Sequence, residues 1–67
     1  MIDGNKVRSL RENEGLTLEE LAQVAGLSLN FMSYIERNLR DTNTTALARI
    51  ASKLGVSADE LLREESF

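Results

Sequence analysis

Residues 15–37, GLTLEELAQVAGLSLNFMSYIER, read as two short amphipathic helices joined by a tight glycine turn. The first opens at Thr17, whose hydroxyl can accept from a free helix amide while Glu20 reaches back, a capping box of the T-x-x-E kind. It turns Leu21, Ala22 and Ala25 inward and stops at Gly26, the residue best able to take the left-handed conformation that closes a helix. Leu27 plugs the turn, and Ser28 caps the next helix, which runs to about Asn38. At about 100° per residue this helix places Phe31, Met32 and Ile35 on one face. Leu29, Asn30, Ser33, Tyr34 and Arg37 fall on the other. One face suits a core and the other is free for recognition.

Working outward, Asp3 caps a first helix over about Gly4 to Glu14, which carries Val7 and Leu10 inward and halts at Gly15. Leu39 to Asn43 is a polar loop. Asn43 or Thr44 then caps a fourth helix, whose Leu47, Ile50, Ala51 and Leu54 keep the 3, 4, 7 spacing of a core-facing stripe before Gly55 closes it. Ser57 with Glu60 reads as a second capping box, opening a short fifth helix that returns Leu61 and Leu62 to the core. Glu64 to Phe67 reads as a frayed tail. No segment sustains period-two alternation, so the expectation is an all-α, five-helix single domain over 1–67, with its central helix pair at about 17–38.

Composition narrows the chemistry. The 67 residues hold no cysteine and no histidine, which removes thiolate nucleophiles, zinc-cysteine sites, and the commonest metal ligand and general base together. The adjacent carboxylates Glu19 and Glu20 diverge by about 100° around their helix and do not form a catalytic pair. An enzyme is not expected, nor a cofactor, a metal or a small-molecule ligand. No run approaches the roughly 20 apolar residues that cross a bilayer, so a soluble, cytoplasmic protein without membrane contact is expected. The net charge of −3 is unusual for a nucleic-acid binder, but Arg37 and Arg40 cluster where the third helix ends.

The exposed face of the third helix carries groups that can read base edges. Asn30 can pair bidentately with adenine, Leu29 can pack on a thymine methyl, and Tyr34 offers a ring and a hydroxyl, with Ser33 as a shorter polar neighbour. Thr17 and the free amides beginning the second helix make an anion site, because both the N–H groups and the helix dipole favour phosphate.

The segments GLTLEELAQVAGLS, FMSYIERNLR and LARIASKLGVSADELL together resemble the Cro and phage-repressor type helix-turn-helix family, also called the XRE family, along nearly the whole chain. The resemblance implies a lambda-repressor-like domain whose third helix enters the major groove of double-stranded DNA, in a regulator that works as a homodimer on palindromic operators. It further implies backbone contacts from Arg37, Asn38, Arg40, Asn43 and Thr44, and a structural ion pair between Glu36 and Arg11. Two positions depart from the family: Leu18 stands where glutamine is usual, and Leu29 where a basic residue is frequent. Both changes imply modest affinity per subunit. The rival reading from another class is a protein-interaction subunit, antitoxin-like or anti-repressor, that keeps the fold and acts on a protein partner. The stretch from Val56 to Phe67 is the expected dimer contact.

Overall fold

Side-chain caps set where the helices begin. In the computed structural model, which describes residues 1–63, Asp3 Oδ1 accepts from the Asn5 and Lys6 amides at 3.1 and 3.3 Å and opens α1 (Gly4–Asn13). Thr17 and Glu20 close a reciprocal capping box ahead of α2 (Leu18–Ala25), with Thr17 N–H donating to Glu20 Oε1 at 2.9 Å and Glu20 N–H to Thr17 Oγ1 at 3.1 Å. These bonds favour the Glu20 carboxylate and hold its pKa below the ordinary value. Ser28 Oγ accepts from Phe31 N–H at the start of α3 (Leu29–Glu36), and Asn43 Oδ1 accepts from Ala46 N–H at the start of α4 (Thr44–Leu54). Asn43, rather than Thr44, is therefore the fourth cap. Both Gly26 and Gly55 take φ 72° and end α2 and α4 in the left-handed region.

The end of α3 comes earlier than the residue pattern suggests. Asn38 takes φ 61°, and the turn is closed by Asn38 N–H to the Ile35 carbonyl at 3.0 Å and Leu39 N–H to the Tyr34 carbonyl at 2.9 Å. Asparagine tolerates this conformation because its short side chain finds a local partner. Here the partner is distant in sequence: Asn38 Oδ1 accepts from Gly4 N–H at 2.9 Å, tying the end of α3 to the first turn of α1.

The fifth element corrects the sequence expectation. Residues Ala58–Leu61 form a single 3-10 turn, not an α-helix, and Ser57 makes no side-chain cap bond; the Glu60 amide donates to the Ser57 carbonyl instead. Three residues per turn stack Ala58 under Leu61, so Leu61 is fully buried while Leu62 leaves the turn in an extended conformation and is 41% exposed. Leu62 then pairs with Ile2 as an isolated antiparallel bridge. Its hydrogen bonds run from Asp3 N–H to the Leu61 carbonyl at 2.6 Å and from Arg63 N–H to the Met1 carbonyl at 2.8 Å. Ile2, absent from the expected core, is fully buried by this pairing. The tail expected at Glu64 to Phe67 lies outside the described residues.

The core gathers Val7 of α1, Leu21 and Ala25 of α2, Met32 and Ile35 of α3, and Ile50 and Leu54 of α4 around Ile2 and Leu61. Phe31, Leu10 and Leu47 are half-buried against it. The three residues Gly26 to Ser28 are the whole connection between α2 and α3, so both helices pack on the same core and hold α3 with one long face outward. No helix among the described residues is long and apolar enough to cross a membrane.

Candidate nucleic-acid interface

The third helix divides as its periodicity dictates. Met32, Ile35 and Glu36 are buried, Leu29, Asn30 and Tyr34 are exposed, and Ser33 is half-buried at the edge. Leu29 alone leaves 48% of its surface in water, a cost that a soluble helix keeps only as an isolated residue or for a contact. Asn30 and Tyr34, one turn apart, flank the same outward strip.

Its buried edge is fixed by charge. Arg11 Nε donates to Glu36 Oε2 at 2.7 Å and its Nη2 to Glu36 Oε1 at 3.2 Å, a bidentate fork, while Nη1 donates to the Leu16 carbonyl at 2.8 Å. Side-chain exposure is 14% for Arg11 and 7% for Glu36, so the pair is screened little by solvent. The hydrogen bond to Glu36 holds the Arg11 guanidinium above its ordinary pKa. One side chain of α1 thus locks the last turn of α3 and the entry to α2.

Around the end of α3, Arg37 and Arg40 are exposed, as are Asn43 and Thr44 at the start of α4. The Arg37 guanidinium lies over the Tyr34 ring, 5.1 Å from its centroid, which orders two side chains of the outward strip without neutralising the charge. Asn38 is half-buried, with its carbonyl oxygen committed to Gly4 and its amide nitrogen left over. Asn43 is similarly divided by its bond to Ala46. At α2 the first backbone bond runs from Leu21 N–H to the Thr17 carbonyl, so the Leu18 and Glu19 amides have no partner inside the helix and present the positive end of its dipole.

The residue pattern did not mark Asp41. Its Oδ1 accepts from Ile2 N–H at 3.1 Å and from Thr42 N–H at 2.9 Å, and those bonds hold its carboxyl below the usual carboxylate range. Together with Asn38, it straps the α3–α4 loop to Ile2 and to Gly4, the first residue of α1. Arg8 was missed as well, although its position three before Arg11 puts it on the same stripe of α1, beside α3.

A three-residue turn between two short helices, the second pinned at its inner edge and polar along its outer one, defines a helix-turn-helix domain. The Helix-turn-helix family model matches residues 7–61, and the chain belongs to that family. It is 38% identical over 64 residues to the HTH-type transcriptional regulator SinR of Bacillus licheniformis, covering 92% of this chain and 57% of that protein. The chain thus spans little more than half the length of that relative. Among solved structures it is similar to SinR, the master regulator for biofilm formation, in complex with DNA: the TM-score is 0.80 and the identity 34%, over 90% of this chain and 97% of that one. It is also similar to the P22 c2 repressor protein in complex with a synthetic operator, with TM-score 0.86 and 25% identity over 97% and 98% of the two chains.

Proposed function

We propose that the chain is the sequence-reading part of a DNA-binding transcriptional regulator, and that it inserts α3 into the major groove. The observation that carries this reading is the outward strip Leu29, Asn30 and Tyr34, held rigid from behind by the Arg11–Glu36 fork and bordered by Arg37 and Arg40. The likeness to SinR and the P22 c2 repressor, both in complex with DNA, supports it across nearly the full chain. In this reading Asn30, Leu29 and Tyr34 meet base edges, with Ser33 at the margin. Arg37, Arg40, Thr44, the free amide nitrogens of Asn38 and Asn43, and the α2 amides behind Thr17 hold phosphates.

One recognition helix covers few base pairs, so we propose a homodimer whose two copies of α3 lie about 34 Å apart on a palindromic site. Leu62, 41% exposed and paired with Ile2, offers an apolar side chain for the second copy. Leu62 falls within the expected contact at Val56 to Phe67, of which Glu64 to Phe67 lie outside the described residues.

Alanine substitutions separate the two kinds of contact. Asn30→Ala or Tyr34→Ala should cost about 1–3 kcal/mol on a selected operator and little on random duplex. Arg40→Ala should weaken binding to every sequence and reduce the salt slope by about one unit. Binding-site selection from random duplexes followed by titration on whole and half sites supplies the measurement. Equal affinity for whole and half sites would remove the dimer; uniform losses from Asn30→Ala would remove it from base reading.

A further inference from the structure

We infer that the crevice where α1, α2 and α3 meet seats one phosphate of the DNA backbone between Arg8 and Arg37. This rests on the DNA-binding reading and adds to it a site that α3 alone does not provide. The crevice holds about 260 Å3 and is lined by Arg8, Arg11, Leu18, Ser33, Glu36 and Arg37. Two of its charges cancel: both Glu36 oxygens are occupied by Arg11, which also donates through Nη1 to the Leu16 carbonyl. Arg8 and Arg37 are left, both exposed, and the site is therefore cationic in a chain whose net charge is −3.

Each of these guanidiniums is placed without being neutralised tightly. Arg37 rests on the Tyr34 ring. Arg8 approaches Glu12 at 3.6 Å along α1, and both side chains are more than half exposed, so this contact is weak and exchangeable for a stronger anion. Ser33 adds a neutral hydroxyl donor, and the Leu18 side chain makes one wall apolar, which lowers the local dielectric around a bound charge. Two guanidinium forks and a hydroxyl match the oxygens of a phosphodiester. Ser33 and Arg37 belong both to this crevice and to the outer side of α3, so the phosphate is one on the duplex that α3 reads.

Titration with a mixed-sequence duplex over a salt series tests the site. Arg8→Gln should reduce the slope of log affinity on log salt by about one unit, and Arg8→Lys, which keeps the charge and loses the fork, should keep the slope. Glu12→Gln frees Arg8 and should raise affinity about twofold to fivefold, a gain that disappears in the Arg8→Gln background. Glu14→Gln, the same change in net charge away from Arg8, is the control and should gain less. An unchanged slope in Arg8→Gln beside a reduced slope in Arg37→Gln would overturn the crevice site while leaving the DNA reading standing. No salt-dependent binding by the unsubstituted chain would overturn both.

Discussion

Arg11→Ala is expected to destabilise the fold by about 3 kcal/mol, because it leaves the Glu36 carboxylate buried without its counter-charge and the Leu16 carbonyl without its donor. Glu36→Ala should cost a similar amount by stranding the guanidinium. Stability in domains of this size is about 0.05–0.15 kcal/mol per residue, so either loss takes a large share of the total. The double substitution should cost clearly less than the sum of the two, since it removes both charges together. Urea denaturation of the four proteins measures this cycle. Small, additive losses would mean that the pair does not secure α3 against α1.

Gly4→Ala should be comparably damaging, by about 3 kcal/mol, although residue-level reasoning points the other way. Gly4 begins a helix, where alanine is ordinarily worth up to about 1 kcal/mol more than glycine. In the folded chain, however, a Cβ at this position would run into the Ile35 carbonyl oxygen and lie 2.7 Å from that of Glu36. Backbone meets backbone there, and neither side can yield without breaking the Gly4–Asn38 bond. Gly15 supplies the comparison: it has φ 70° but open space around it, so Gly15→Ala should cost only about 1–2 kcal/mol of conformational strain. Thermal or chemical melts of the two variants separate steric from conformational cost. A Gly4→Ala variant no less stable than Gly15→Ala would show that α1 can draw back from α3 freely.

That contrast marks what a single sequence can disclose. Caps and stops are local, so Asp3, Thr17 with Glu20, Ser28, Gly26 and Gly55 all announced helix boundaries that the fold uses. Periodicity likewise separated Met32 and Ile35 from Asn30 and Tyr34. Three features were illegible because they depend on partners far along the chain: Asn38 against Gly4, Asp41 against Ile2, and Leu62 against Ile2. The α-helical reading of Ala58 to Leu62 failed for a different reason. Ser57 and Glu60 have the residue types of a capping box, but only one 3-10 turn follows them before Leu62 is drawn off to Ile2, and the phase that would bury both leucines never develops. In the interface, the outward strip was visible from spacing alone. The crevice beside it was not, because it is shared among three helices.

The pairing of Met1 to Asp3 with Leu61 to Arg63 also bears on the order in which the molecule assembles. The most extensive helix contacts here, α2 with α4 and α2 with α3, lie within residues 18–54 and close loops shorter than the whole described chain. The bridge closes a loop of nearly the whole described chain through two hydrogen bonds and the burial of Ile2, and the entropy lost in closure grows with loop length. Such a contact is favourable only after the helices have already brought its ends together, so it belongs to the final step of folding and the first step of opening. Because the same three residues carry Asp41 and adjoin Gly4 with its Asn38 bond, the last event in folding is also the one that sets the exit of α3. The geometry at the end of α3 is thereby coupled to the pairing of the two ends of the described chain.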